Sequence, residues 1–503
     1  MSNYPANNVY IGARYVPKLV GEWDNTKETA YEPLIIVTYQ GDSYTSRQYV
    51  PAGIDIGNTE YWVLTGNFNG QIESFRLALE AVGDRANTIY MDTVQDMIVS
   101  TRLKAGDIVT CFGYYNQGDM PQLSYVISSS GSISDGGSTL ALNNGLFANA
   151  IFGGTVYPEW YGIDNSHNNW DAYMAFVESH NVDYAFMAKT YTLPRPLVTH
   201  KSIIGSNNGK KRTVLQASTK FAKLSGTTYF GVDLSQFSSV VCFRNLTRAD
   251  EKSNPIITNI EIQCESNDCG LLIADGVNLT VDSLLIEGSA IVGLSTVFCY
   301  ISKISNVNVI PAGGYGFFYG GYPNYSGPSG TTTLTVTACG IEDNNHVAKI
   351  GHYISGNTVT LIGCYADHIK TTEAKAYFIN GRSITLIDCS TEDFIGNDYY
   401  TCPYYVTDGN VIIINPFISE DVECNMLISG SGSPYIMIIG GRTNDKPLCY
   451  FGDTFTGTFI ANTPSGNSEM LTSNAPNMKS IAISPTGVFK KVGTAFKEYQ
   501  ISS

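Results

Sequence analysis

With 503 residues the chain is long enough for several domains, and 30 Lys and Arg against 45 Asp and Glu leave a formal charge of −15 that argues against a nucleic-acid partner. Charged residues make up 15%, whereas Gly numbers 49 and Tyr 33, a balance suited to sheet surfaces carrying aromatic and hydroxyl groups. No stretch approaches the roughly 18 apolar residues of a membrane-crossing helix, and the opening Met1-Ser-Asn-Tyr-Pro-Ala-Asn-Asn lacks the basic start and apolar run of a secretory leader.

Residues 1–86 read as a separate head. Its middle contains Gly21-Glu-Trp23, then Tyr31-Glu-Pro-Leu-Ile-Ile-Val-Thr-Tyr39-Gln-Gly41-Asp-Ser-Tyr44, Val50-Pro-Ala-Gly53 and Tyr61-Trp62. This order of a Trp, a hairpin and a closing Trp resembles the small carbohydrate-binding modules of chitinases and their relatives in phage tail proteins. The resemblance makes Trp23, Tyr44 and Trp62 candidate glycan-stacking residues. The competing expectation is that they form the core of a mini-domain with little bulk elsewhere. Ile72, Phe75, Leu79 and Val82 predict a short helix within 71–82.

Residues 87–154 read as a small β connector, with Thr93-Val-Gln-Asp-Met-Ile-Val ahead of Leu103-Lys-Ala-Gly-Asp107, Gly113-Tyr-Tyr, Tyr125-Val-Ile, Asp135-Gly-Gly and Leu142-Asn-Asn-Gly145-Leu. This succession is similar to the connector that precedes the pectate-lyase-like β-helix in tail spikes and neck appendages of phages infecting Gram-positive bacteria. Trp160-Tyr-Gly162-Ile-Asp-Asn and Trp170-Asp-Ala-Tyr-Met-Ala-Phe-Val stand where that family has its entrance motifs, in diverged form. Asn169 to Ser179 is the expected capping helix. Tyr191-Thr-Leu-Pro-Arg-Pro-Leu197, Lys201-Ser-Ile-Ile-Gly205 and Val214-Leu-Gln-Ala match its opening coils more closely.

The solenoid itself is legible without the resemblance. Cys339, Cys364 and Cys389 close three similar strands 25 residues apart, and the first apolar residues Ile260, Leu284, Val307, Leu334, Val359, Ile384, Val411 and Ile436 recur at steps of 24, 23, 27, 25, 25, 27 and 25. Each unit is a short strand rich in Val, Ile, Leu and Thr, followed by Gly, Asn or Asp, with no helical stripe between. Such units bury their inward residues only by stacking on neighbours, so the expected fold is all-β, a right-handed single-stranded parallel β-helix over 155–455. Eleven cysteines without a CxxC pair are expected to be free and buried, with Cys339, Cys364 and Cys389 as an inner ladder. The segment 313–330 is expected to interrupt the coils as a loop. Its Tyr315, Phe317, Tyr319, Tyr322 and Tyr325 either stack on sugar, contact another subunit, or fold back onto the shaft. Residues 456–503 read as terminal β strands.

Three and four residues after each ladder cysteine come ionisable groups: Glu342 and Asp343, Asp367 and His368, Glu392 and Asp393. Stacked coils would align them in two columns, and later turns add Glu420, Asp421, Asn444 and Asp445, with Asp398, Tyr399 and Tyr400 as wall residues. A pair of carboxylates about 5–9.5 Å apart is what glycoside hydrolysis requires. The same groups would bind Ca²⁺ or another divalent ion, or would merely bend and solvate the turns. No cofactor is required by any motif.

The resemblance implies a virion tail spike or neck appendage, made in the host cytoplasm. It implies a homotrimer locked by residues 456–503 and docked through the N-terminal region to phage neck, tail or connector proteins. Attachment to host surface glycan or teichoic acid is the leading expectation, with depolymerase and purely structural fibre as alternatives; enzymatic activity stays open.

Overall fold

The computed structural model describes residues 18–24, 26, 28–66, 88–131, 133–245, 247, 254–395, 401–418, 422, 425–429, 435–441, 449–451, 458–462, 481–484, 487–492 and 495–498. The chain falls into two compact units, one of residues 1–89, 102–109 and 126–128, the other of residues 90–101, 110–125 and 129–503. The predicted helix at 71–82 lies outside the described residues.

In the first unit the strands Lys18–Glu22, Ile35–Tyr39, Asp42–Ser46 and Trp62–Gly66 form one sheet in that order. The first pair is parallel and the next two are antiparallel. Gln40 and Gly41 close the central hairpin with φ of 48° and 87°, the left-handed pair that matches the twist of two strands. The core beneath is Trp23, Tyr31, Val37, Val50, Ile56 and Trp62.

The second unit includes a short helix, Val94–Val99, whose N-cap Thr93 accepts the Asp96 N–H on its hydroxyl. It then winds into one sheet of 30 strands among the described residues, beginning at Thr155–Val156. From there to Thr458–Asn462 the strands pair in parallel with those of neighbouring coils. The helix Trp170–Ser179 buries Trp170, Tyr173, Met174 and Val177. The Tyr173 ring meets Tyr184 and Phe186, so the expected cap covers the first coil.

Inside, residues stack in register from coil to coil. One column runs Ile257, Val281, Ile304, Val336, Leu361, Leu386, Ile413 and Ile438. All eight are fully buried, which is how a strand too short to own a core acquires one. Cys339, Cys364 and Cys389 are buried beside it, as expected. Each follows a residue in left-handed backbone, Ala338, Gly363 and Asp388. The N–H of each left-handed residue donates to a carbonyl one coil on. That corner explains the recurring Gly, Asn and Asp.

The periodic series holds with one correction. Leu284 pairs with Ile260 and Val307 with Leu284, but Leu334 pairs with Ser302 rather than Val307. Residues 320–329 enlarge that coil, so the spacing in sequence of 27 conceals a step of 32 in the structure, 302 to 334. Gly314–Tyr319, expected in a projecting loop, is itself a strand paired with Val292–Thr296 above and Ala348–Ile354 below.

Four glycines, Gly270, Gly293, Gly316 and Gly351, fall on successive coils immediately before an inner aromatic or leucine position. A Cβ on any of them would lie 2.3–2.8 Å from a side-chain atom or from a backbone atom of the next coil, so the coil closes tightly there. At the far end, Ile481–Ser484, Gly487–Val492 and Ala495–Glu498 form an antiparallel meander whose first strand pairs with Cys449–Phe451. Among the described residues no helix is long and apolar enough to cross a membrane.

Candidate functional site

The carboxylate column forms where the spacing placed it. Glu342 lies in register with Asp367 and Asp367 with Glu392, on the strands Gly340–Glu342, Tyr365–Asp367 and Ser390–Glu392. Glu342 and Asp367 are half-buried and Glu392 is exposed. The Asn308 side-chain amide donates to Glu342 at 3.1 Å, and the Glu392 N–H donates to the Asp367 carboxylate at 3.1 Å. Tyr365 stands among them. Its hydroxyl is pushed up to about 12 by burial and by the negative charges of Glu342 and Asp367.

The second expected column does not form as one set. Asp343 is fully buried, its carboxylate accepting the backbone N–H groups of Val347 at 2.9 Å and Ala348 at 2.7 Å. It shapes a turn and is withdrawn from any ligand. His368 and Asp393 instead meet Lys370 and His346 at the corner. Lys370 forms an ion pair with Asp393, the His368 Nε2 is 3.8 Å from the same carboxylate, and His346 Nδ1 lies 2.8 Å from the His368 carbonyl. The Lys370 hydrogen bond and charge, with His368 and His346 behind it, hold the Asp393 carboxyl below its ordinary range.

Among the described residues no group of three or more His, Cys, Asp or Glu side chains is arranged to hold a metal ion. Glu420, Asp421, Asn444, Asp445, Asp398, Tyr399 and Tyr400 lie outside the described residues.

The aromatic candidates separate by burial. Phe317 and Tyr319 are fully buried, point into the coil and offer no face to a ligand, and Tyr322 is largely buried against Phe237. Tyr325, half-exposed, and Tyr322 line a pocket of about 530 Å³ with Lys223 and Asp233. Trp23 and Trp62 are core, packed edge-on against Tyr39 and Tyr31, and Tyr44 lies partly buried against the same core. The mini-domain expectation is the one that fits these three. Tyr315 joins the outer surface beside the aromatic strip, set edge-on to Phe318 and Tyr353.

That outer surface is what the sequence reading missed. Phe317, His352, Tyr377 and Tyr404 stack inside the coil at 4.7, 5.1 and 4.9 Å. Their immediate neighbours Phe318, Tyr353 and Phe378 stack outside it at 4.0 and 4.5 Å, and Tyr405 follows at 5.1 Å, tilted by 52°. The signal was present as four adjacent aromatic pairs, one per coil, since successive residues of a strand face opposite ways. Upstream, Leu224, Val232, Leu234 and Phe237 pack over the outer face at Cys242, Leu272 and Phe318. Tyr353, Phe378 and Tyr405 are half-exposed. Beside them a groove of about 670 Å³ is lined by Tyr315, Lys349, Thr371, Glu373, Lys375, Phe378 and Tyr405 among others.

No family profile matches the chain, and no curated protein does. Solved structures do. The gp42 tailspike of the Acinetobacter phage AS12 superposes with a TM-score of 0.50 at 12% identity, over 83% of this chain and 79% of that one. The gp49 tailspike of the Acinetobacter baumannii bacteriophage Fri1, described as a capsular polysaccharide depolymerase, gives 0.45 at 10% identity, over 80% and 81%. The enzymatically active domain of tailspike protein 2 from bacteriophage CBA120 gives 0.44 at 10%, over 78% and 58%. At these identities the likeness is one of fold, and it agrees with the coil built up above: the chain carries the parallel β-helix fold of phage tailspikes.

Proposed function

We propose that the chain is a virion tail spike or neck appendage that attaches a phage to a glycan on the host surface, and that the outer strip Tyr353, Phe378 and Tyr405 is its glycan-binding face. The observation that carries this is the strip itself. Aromatic rings left half-exposed on three successive coils, beside a groove with polar walls, offer a continuous row of apolar ring edges to a sugar chain. A folding role alone would favour covering them, as the upstream coils are covered. The fold supports the setting by analogy. In this reading the protein is a homotrimer docked through its N-terminal unit to neck, tail or connector proteins. The test is saturable binding of purified protein to host cell-wall glycopolymer; no binding, or binding unaffected by Phe378→Ala, refutes it.

The in-register Glu342, Asp367 and Glu392 favour a second reading, a glycan depolymerase. Carboxylates on adjacent and next-but-one coils, about 4.8 Å apart per step, span the separations of both retaining and inverting hydrolases. Release of reducing ends from the same polymer, lost in Asp367→Asn or Glu392→Gln, would establish it. Binding without release leaves the chain an adhesin.

A further inference from the structure

Two stretches leave the coil stack and meet on its outer side. Residues 218–238 run between the strands Thr213–Ala217 and Ser239–Phe243, and residues 320–329 between Gly314–Tyr319 and Gly330–Thr337; neither adds a strand to the sheet. They pack on each other through Phe237, whose ring centre lies 4.9 Å from that of Tyr322 and 5.0 Å from that of Tyr325. The joint is not filled. A pocket of about 530 Å³ remains, walled by Phe237, Ile291, Tyr322 and Tyr325, with the exposed Asn324 and Ser326 among its lining. The Tyr325 hydroxyl is buried, so the part of that residue left half-exposed is not its polar tip. The charges on the walls are already answered: Lys223 reaches the Gln236 carbonyl at 2.7 Å and Asp268, and Asp233 accepts the Ser235 N–H at 2.9 Å and the Gln236 amide at 3.2 Å. Pro323 and Pro328 stiffen the loop, which lowers the cost of ordering it around a ligand.

This pocket is in line with the groove beside the aromatic strip. The Tyr315 N–H donates to the Ile291 carbonyl at 2.7 Å, Tyr315 is in register with Ile350, and Ile350 with Lys375. Ile291 lines the pocket and the other three line the groove, so the two hollows sit on neighbouring coils of one wall. Ile291, Tyr315, Ile350, Phe378 and Tyr405 stand on five successive coils. Four steps of about 4.8 Å make the combined trough roughly 20 Å long.

Resting on the receptor-binding reading above, we infer that the pocket between Tyr325 and Ile291 is a second sugar subsite, so that the glycan lies across successive coils and is held at both ends of the trough. From Phe378 and Tyr405 it continues past Tyr315 and seats an uncharged sugar ring against Tyr325, with Asn324 and Ser326 to bond its hydroxyl groups. The ligand is then a stretch of polymer several rings long. A disaccharide is too short to reach both hollows, and joining the second contact to the first raises affinity without strengthening either.

The test uses the full chain with host cell-wall glycopolymer cut by partial hydrolysis and sorted by size, from disaccharide upward. Affinity should climb with fragment length until the fragment spans the trough, and then level off. Tyr325→Ala should lower affinity for the long fragments about tenfold and leave the shortest binding fragments unaffected. Ser326→Trp, which fills the pocket from an exposed position and removes no buried contact, should do the same with melting temperature unchanged, and it decides the matter if Tyr325→Ala fails to fold. Phe378→Ala should weaken fragments of every length. Equal affinity at all lengths, or a Ser326→Trp variant that binds long fragments like the parent or loses short and long alike, overturns the second subsite and spares the receptor reading so long as Phe378→Ala still weakens binding. Binding of no fragment, or indifference to Phe378→Ala at every length, overturns both.

Discussion

Tyr353 and Phe378 stack face to face across one coil, ring centres 4.5 Å apart and planes 8° from parallel, on the outside of the wall whose inside carries His352 on Tyr377 at 5.1 Å and 6°. The same two strands therefore supply core and contact surface from adjacent residues. Phe378→Ala should weaken glycan binding about tenfold, some 1.4 kcal/mol, because it removes the middle ring of the half-exposed three. Tyr377→Ala should instead unfold the coil at lower temperature, about 3–5 kcal/mol, by opening a cavity. Isothermal binding and thermal melting of the pair separate the two roles.

His352 predicts a pH dependence. It is fully buried between Phe317 and Tyr377, its Nε2 3.0 Å from the Tyr365 carbonyl and its Nδ1 3.4 Å from the Tyr319 hydroxyl. Burial pulls its pKa from 6.5 down to about 4. The unfolded chain binds the proton first, so this contribution to stability is complete above about pH 6.5 and is lost as pH falls toward 4, by roughly 3 kcal/mol. Melting temperature against pH should show the slope, and His352→Phe should flatten it. An unchanged slope in that variant would place the acid sensitivity elsewhere.

Asp343 and Glu392 had the same standing in the sequence and should part company on substitution. Asp343→Ala strands the N–H groups of Val347 and Ala348 inside a turn and should cost about 2–4 kcal/mol. Glu392→Gln, on an exposed side chain, should stay within about 0.5 kcal/mol of the parent. Urea denaturation of both variants would reveal it.

The ten described cysteines are all free and buried, and burial pushes the thiols of Cys111, Cys242 and Cys299 up to about 12. A chromogenic disulfide reagent near neutral pH should therefore leave them untouched until denaturant is added. Prompt reaction of several thiols in the folded protein would contradict the inner ladder.

Gly351 tests the tight closure of the coil. A Cβ there would stand 2.6 Å from the Ala376 carbonyl oxygen and 2.8 Å from the Ala366 Cβ, neither of which can swing away. Gly351→Ala should cost about 1–3 kcal/mol and broaden the unfolding transition. A melting curve like the parent's would mean that the wall can yield.

How much could be read beforehand divides along physical lines. The coil was legible because its units repeat, and the column from Glu342 to Glu392 because equal spacing becomes register when strands stack. Asp343 misled because one residue past the strand the backbone turns, and whether a carboxylate faces water or backbone N–H groups is decided by that turn. Phe317 and Phe318 misled because a Gly-rich setting suggests a loop, whereas here glycine serves close approach inside a strand. The step at Leu334 was hidden by the long connection 320–329, which sequence spacing averages into neighbouring turns. The head tryptophans were decided by a core of six side chains too small to spare them.

The glycine column at Gly270, Gly293, Gly316 and Gly351 bears on how the chain finds its register while it folds. Where both faces of a strand carry aromatic rings, as at His352-Tyr353 and Tyr377-Phe378, a slip of one residue exchanges one ring for another, and burial alone discriminates weakly against the mistake. The same slip would drive a bulky neighbour into a slot that admits only glycine. Misregistered coils are thus rejected by steric exclusion as each is laid down, and a variant that relaxes the slot should fold more slowly and leave more trapped, aggregation-prone intermediates even where its final stability is little altered.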